Sequence, residues 1–211
     1  MNSPGKTPLR LGVLLSGGGR TLVNLREHIQ DGRLGARICV VIASRPCKGL
    51  DLAGQLGLPA HLVSYKSRRD DQTYSDAITA LLDQAGVELV VMAGFLSKWI
   101  IPLKYMGRVM NIHPALLPGF GGQGMYGHRV HEAVLQAGCK VSGCTVHFVN
   151  NDYDGGPIVL QTCVRVHEGD SPDDLAARVF EQEKLAFPQA IALYAAGRLR
   201  IEGRVVRITD G

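Results

Sequence analysis

The sequence predicts an α/β fold in which helices cover both faces of a mostly parallel β-sheet. Four segments, 9–17, 36–45, 88–95 and 108–113, are apolar along almost their whole length instead of alternating with polar residues. Strands of this kind are buried on both faces, as in a parallel sheet. Helical patterns lie between them, and this alternation of strand and helix is typical of a Rossmann-like, doubly wound fold.

The helices expected in the first half lie at about 21–31, 47–57 and 71–85, where apolar residues recur at helical spacing. Two further strands are expected at 140–150 and 157–166, joined by a turn around the sequence NDYDGGP. The second half therefore adds a strand pair to the alternating pattern of the first.

A long helix is expected at about 171–196, and its first residues carry the signals of a helix start. Ser171 is suited to cap the N-terminus, Pro172 fits the first helical position, and two aspartates follow in the first turn. A hairpin is expected at 199–208. Because no linker or repeat interrupts the chain, we expect a single domain over residues 1–211.

Composition limits the classes of function. The net charge of +4 is modest and the Lys and Arg residues are scattered, which argues against a nucleic-acid partner. Five cysteines with no CxxC pair indicate free thiols in a reducing compartment. The N-terminus has no apolar core of signal-peptide length, and no segment approaches the roughly 18 apolar residues of a membrane span. We therefore expect a cytoplasmic protein with no membrane partner.

The first expected strand runs into a glycine-rich loop, SGGGRTL, at residues 16–22. Small residues let backbone N–H groups face an anion, and the following helix N-terminus adds positive potential. The loop lacks the Gly-Lys-Ser/Thr of a Walker A loop, and Leu22 stands where a dinucleotide loop has its third glycine. A single phosphate is the better ligand, although a tight turn without a ligand gives the same pattern. The candidate phosphate-binding residues are Gly17, Gly18, Gly19, Arg20 and Thr21.

An amide and an imidazole end the fourth expected strand, in the sequence VMNIHPALLP. Because side chains two residues apart on a strand face the same way, Asn111 and His113 project from one face. In an open parallel sheet, ligands bind outside the carboxyl ends of the strands. An amide N–H and an imidazole can hold a developing oxyanion, and histidine can move a proton near neutral pH. We expect a catalytic pair; the alternative is a polar pair that satisfies buried backbone groups.

Asp154 lies in the turn DYDGGP, where glycines permit a tight turn that aims its carboxylate. Turn aspartates usually bond only their own backbone. A carboxylate beside an imidazole does more, because it orients the ring and favours its charged form.

Three histidines, His128, His131 and His147, raise the question of a metal. They lack a fixed fourth ligand, so we expect no metal site. The strand pattern around His147 favours a hydrogen-bonded histidine of the core.

Four motifs together resemble a known family. They are SGGG at 16–19, NIHPALLP at 111–118, SGCTVHFV at 142–149 and DYDGGPIVLQ at 152–161. The chain resembles the formyltetrahydrofolate-dependent transferases from about residue 11 to residue 199. Within that superfamily it is most similar to the glycinamide ribonucleotide formyltransferases of purine synthesis.

The resemblance implies a one-carbon transfer without a metal. The amine of glycinamide ribonucleotide attacks the formyl carbon of the co-substrate 10-formyltetrahydrofolate, and the tetrahedral intermediate collapses to formylated nucleotide and tetrahydrofolate. Asn111 is then the donor to the formyl oxygen and His113 the proton carrier. Asp154 is the carboxylate that organises His113 and a water.

The resemblance also implies binding residues. The N-terminal half binds the nucleotide phosphate, and the C-terminal half binds folate and carries catalysis. Glu183 is the implied contact to the ribose and glycinamide, although a solvated helix charge fits it equally well. The two small molecules are the implied partners, and a homodimer is compatible with the likeness. The implied folate-binding residues are Phe95, Leu96, Ser97, Val149, Asn150 and Asp154.

One departure concerns Ser97, because the family often has an arginine there that helps to hold the folate. Lys98, Arg68 or Arg69 are the candidates to replace it. The resemblance further implies a cis peptide bond between Leu117 and Pro118.

Two rival functions stay open at this point. One is hydrolysis of formyltetrahydrofolate, or formyl transfer to an amino sugar or a charged transfer RNA. The other is a nucleotide-binding regulatory module without chemistry, which would ignore folate.

Overall fold

The computed structural model of the protein describes residues 7–65 and 70–210. The chain divides into two compact units, Met1–Met110 and Asn111–Gly211. None of the helices in the described ranges is long and apolar enough to cross a membrane.

The first unit alternates strands and helices as expected. The elements are β1 (Leu9–Leu15), α1 (Arg20–Gln30), β2 (Ala36–Ala43), α2 (Lys48–Gln55), β3 (Ala60–Leu62), α3 (Asp71–Gln84) and β4 (Leu89–Met92). The strands follow the order β3-β2-β1-β4, and the pairs β1/β2, β1/β4 and β2/β3 are parallel.

The core of the first unit explains why its strands are recognisable in the sequence. Leu11 and Val13 to Leu15 on β1 have no exposed surface, and neither do Val90 and Val91 on β4. Neighbouring residues on a strand point to opposite faces, so both faces of these strands are covered.

The second unit combines parallel and antiparallel pairs. The elements are β5 (Val109–His113), α4 (His128–Gln136), β6 (Val141–Phe148), β7 (Ile158–Arg165), α5 (Pro172–Ala195), β8 (Leu199–Glu202) and β9 (Val205–Ile208). The first two residues of β5 end the first unit, and its last three begin the second. The strands follow the order β5-β6-β7-β9-β8; β6/β7 and β8/β9 are antiparallel, and β7/β9 is parallel.

The start of α5 confirms the expected cap. The Ser171 hydroxyl accepts a hydrogen bond from the amide of Asp174 at 3.2 Å, and the Asp174 carboxylate accepts one from the amide of Ser171 at 2.9 Å. This reciprocal capping box satisfies two amides that a helix start leaves without intrahelical partners. Arg178 then joins α5 to the preceding turn through two 2.8 Å hydrogen bonds to Asp170.

We predict that Gly143→Ala destabilises the protein by on the order of 1–3 kcal/mol, because added atoms in a tightly packed sheet force backbone shifts. A Cβ at Gly143 on β6 would lie 1.9 Å from the carbonyl oxygen of Thr162 on β7. Urea unfolding measures the effect. The neighbouring Ser142→Ala is the control: its buried hydroxyl has no hydrogen-bond partner among the described residues, so its loss should cost little. Equal stability of the two variants would contradict this account.

Candidate active site

Asn111 and His113 project from the same side of β5, as the strand period requires. His113 is 3% exposed, whereas Asn111 is only partly buried. The turn that follows contains the expected cis peptide bond between Leu117 and Pro118. The strand therefore delivers two polar side chains side by side at the point where the chain turns away.

Thr145 of β6 holds this turn in place. Its hydroxyl donates to the carbonyl of Ala115 at 2.6 Å and accepts from the amide of Leu117 at 3.0 Å. Gln161 of β7 donates to the same hydroxyl at 3.0 Å and to the Leu117 carbonyl at 2.9 Å. Buried backbone groups that would otherwise lack partners are thus satisfied by side chains of the neighbouring strands.

Both ring nitrogens of His113 face acceptors. Nε2 lies 2.8 Å from the carbonyl oxygen of Phe120, so this nitrogen carries a proton. Nδ1 lies 3.6 Å from Oδ2 of Asp154. Burial lowers the pKa of His113, and the Asp154 charge and the Phe120 carbonyl oppose that effect only in part. The ring is therefore neutral near pH 7, and the nearby Asp154 carboxylate would stabilise its protonated form.

Asp154 is the carboxylate around which the site is arranged. It has a left-handed backbone with φ of 52°, and its side chain is 15% exposed. Oδ2 accepts a 2.9 Å hydrogen bond from the amide of Gly122. Burial acts to raise the pKa of Asp154, but His147, the charge of His113 and the Gly122 amide together hold it below its usual value. The carboxyl group is therefore ionised at neutral pH.

His147 is a site residue that sequence reasoning missed. It is buried and hydrogen-bonded, as expected of a core histidine, but its partners belong to the site. Nε2 lies 3.1 Å from the Asn111 side-chain nitrogen and 3.6 Å from Oδ1 of Asp154. The available signal was an imidazole within a strand that contains no Asp, Glu, Lys or Arg.

The glycine loop belongs to the first unit and is built for close backbone approach. Gly19 has φ of 79°, and a Cβ there would lie 2.7 Å from the Cα of Gly49. The amide of Gly49 donates to the carbonyl of Gly17 at 2.9 Å. A Cβ at Gly17 or Gly18 would meet no described atom within 4 Å, so this side of the loop is open. Arg20 and Thr21 follow in the first turn of α1.

Ser16, which precedes this loop, joins it to its neighbours. Its hydroxyl lies 2.6 Å from that of Ser44 and accepts from the amide of Leu96 at 2.8 Å. Its carbonyl accepts a 2.7 Å hydrogen bond from Nε of Arg45, a cation that the sequence had not pointed to. A guanidinium from outside the loop thus binds the residue that precedes its first glycine.

The residues expected to bind folate differ in their exposure to solvent. Phe95, Ser97, Val149 and Asn150 are partly buried, and Leu96 is 42% exposed. Lys98 pairs at 4.0 Å with Asp71. Arg68 and Arg69 lie outside the described residues.

Glu183 is partly buried on α5. Burial raises the pKa of the Cys144 thiol to about 11, and the carboxylate of Glu183 acts in the same direction. The Glu183 carboxylate thus lies within electrostatic range of the Cys144 thiol on β6.

His128, His131 and His147 do not come together. His128 lies 3.6 Å from Glu132 and 3.5 Å from Asp173, whereas His131 and His147 are buried. In the described part of the chain, no group of three or more His, Cys, Asp or Glu residues is placed to hold a metal.

Comparison with known proteins identifies the family. The formyl transferase family model matches residues 9–191, most of the chain. The chain belongs to the formyl transferase family. This confirms the family that its motifs resemble.

Individual relatives agree with that assignment. The crystal structure of glycinamide ribonucleotide transformylase 1 from Symbiobacterium toebii matches this fold with a TM-score of 0.91. The two sequences are 38% identical, and the match covers 100% of this chain and 99% of the other. The phosphoribosylglycinamide formyltransferase of Haemophilus influenzae is 34% identical over 96% of this chain and 94% of its own. The mixed, mostly parallel, Rossmann-like fold and the formyltransferase assignment expected from the sequence are both confirmed.

A third relative is longer. The trifunctional purine biosynthetic protein adenosine-3 of Bos taurus is 37% identical over 95% of this formyl transferase chain, which spans only 20% of that relative.

The lowered pKa of His113 predicts how the stability of the protein changes with pH. Folding lowers the pKa of His113, so the unfolded chain binds this proton more tightly, and the histidine reduces stability as pH falls below about 6.5.

We predict that Asp154→Asn lowers the pKa of His113 further, because it removes the charge that favours the imidazolium. Histidine titration by NMR measures the shift, and Asp152→Asn, at an exposed acid two residues away, should leave it unchanged. A higher pKa in Asp154→Asn would refute the arrangement.

Proposed function

We propose that this formyl transferase moves the formyl group of 10-formyltetrahydrofolate to the amine of glycinamide ribonucleotide. The observation that carries the proposal is the group formed by Asn111, His113 and Asp154. It combines an amide donor, a neutral imidazole and an ionised carboxylate in a chain of this family. Formyl transfer to an amine needs an oxyanion donor and a proton carrier, and these residues supply both.

Asn111 acts on the formyl oxygen. As the amine attacks the formyl carbon, the C=O bond opens and negative charge develops on that oxygen. One N–H of the Asn111 amide faces His147 at 3.1 Å, which leaves the second N–H for the oxyanion. A donor fixed before the reaction stabilises the transition state without having to reorganise.

His113 carries the proton. The attacking nitrogen loses a proton as the tetrahedral intermediate forms, and the leaving nitrogen of the folate gains one as the intermediate collapses. The neutral ring takes up the first proton at Nδ1, relayed by a water that Asp154 organises, and becomes an imidazolium beside Asp154, 3.6 Å away. It then returns a proton to the leaving nitrogen, so charge and protons balance over the cycle.

The phosphate of the acceptor is assigned to the loop from Gly17 to Thr21. Support comes from the open side of the loop at Gly17 and Gly18, from the N-terminus of α1 and from the guanidinium of Arg45. Glu183 is assigned to the ribose and glycinamide. The folate contacts named from the sequence stay predictions.

We predict that the wild-type protein releases the tetrahydrofolate analogue from a formyl donor only when glycinamide ribonucleotide is present. An absorbance assay with and without the acceptor measures this. Release without acceptor would favour the hydrolase, and tight nucleotide binding without any turnover would favour a regulatory module.

We predict that Asn111→Ala lowers kcat by about 100-fold or more, because it removes one preorganised oxyanion donor. Nucleotide affinity should change little, since the phosphate is assigned to the glycine loop. Steady-state kinetics and direct nucleotide titration separate the two effects. Turnover close to that of the wild type would remove Asn111 from the mechanism.

A further inference from the structure

His147 occupies a position where its sheet is irregular. The register between β6 and β7 shifts between Val146 and His147, and His147 pairs with Ile158 after the shift. Such bulges re-aim a side chain and are common next to active sites. The side chain is 1% exposed, so its ring nitrogens depend on protein partners.

The partner of Nδ1 fixes the tautomer of this ring. Nδ1 lies 2.8 Å from the carbonyl oxygen of Phe148. A carbonyl oxygen can only accept, so Nδ1 carries the proton, and Nε2 of the neutral ring has a free lone pair. That lone pair lies 3.1 Å from the Asn111 side-chain nitrogen, which donates to it.

This contact also fixes the orientation of the Asn111 amide. With its nitrogen bound to His147, the amide cannot turn by 180° without placing its oxygen against the Nε2 lone pair. Asp154 reinforces the arrangement only weakly, because its Oδ1 is 3.6 Å from Nε2, beyond hydrogen-bond distance. The ring of His147 therefore decides which atom of Asn111 is presented to a substrate.

We propose that His147 is a positioning residue for formyl transfer: its neutral, Nδ1-protonated ring holds the Asn111 amide so that an N–H faces the formyl oxygen. This inference rests on the proposed function. It assigns His147 a role through Asn111, with no contact to substrate. Its loss should therefore lower kcat and leave the KM values of both substrates almost unchanged.

Two substitutions test the hydrogen bonds of the two His147 ring nitrogens separately. In His147→Asn the amide can still donate to Phe148 but is too short to reach Asn111. In His147→Gln the longer side chain can place an oxygen near the position of Nε2 and accept from Asn111. We expect His147→Asn to lower kcat by about tenfold or more, since a misdirected oxyanion donor loses much of its effect, and His147→Gln to recover most of it. His128→Asn, at an exposed histidine, is the matched control and should keep wild-type kcat.

A double-mutant cycle tests whether His147 acts through Asn111. If it does, Asn111→Ala with His147→Asn should be no slower than Asn111→Ala alone, because the amide to be positioned is already gone. A general structural defect would instead multiply the two losses and lower the urea midpoint. Multiplied losses, or wild-type kcat in His147→Asn, overturn the proposal.

Nitrogen NMR of the resting protein gives a readout that needs no activity. The His147 ring should show the tautomer with a protonated Nδ1 and an unprotonated Nε2, and the chemical shift of Nε2 should change in Asn111→Ala. The opposite tautomer overturns the proposal even if formyl transfer is observed. A wild-type protein that shows the expected tautomer but transfers no formyl group would instead refute the proposed function.

Discussion

The site depends on the burial of one charge, the carboxylate of Asp154. Removing an ion from water is costly unless hydrogen bonds and opposite charges replace the lost solvation. The Gly122 amide donates a hydrogen bond to this carboxylate at 2.9 Å, and the His113 ring, at 3.6 Å, supplies an opposite charge when it takes up a proton. The two groups come from different segments, the glycine-rich stretch after β5 and β5 itself. Keeping the carboxylate ionised therefore requires these segments to hold one arrangement, and the same arrangement lets His113 take up a proton.

Some of this site follows from local rules of sequence. The two-residue period of a strand puts Asn111 and His113 on one face, and the glycines after Asp154 permit the turn that carries it. His147 does not follow in the same way. Its contact with Asn111 joins residues 36 positions apart on β5 and β6, and the pairing of two strands is not a property of either strand alone. The position of the Arg45 guanidinium could not be predicted for a related reason, because its hydrogen bond to the Ser16 carbonyl joins residues 29 positions apart.

The elements of the fold likewise divide into those that a local sequence pattern predicts and those that it does not. Strands buried on both faces leave a continuous apolar run, and the expected strands at 9–17, 36–45 and 88–95 all form. By contrast, β3 has only three residues, two of them exposed, so it has almost no hydrophobic pattern. Likewise, α4 follows the glycine-rich stretch, starts after Gly127, which has no side chain to cap it, and begins with polar residues. Both elements take their stability from neighbours that a local pattern does not include.

The glycine-rich stretch between β5 and α4 contacts both His113 and Asp154 through its backbone. The Phe120 carbonyl binds Nε2 of His113, and the Gly122 amide binds Asp154. Phe120 does this with φ of 55°, a conformation that costs energy for a non-glycine residue, so the segment must be held by its contacts. If the segment opens, His113 loses an acceptor that favours its proton and Asp154 loses a donor that favours its charge. Both side chains therefore rely on the backbone of this segment for a hydrogen bond, one that favours the protonated form of His113 and one that favours the ionised form of Asp154.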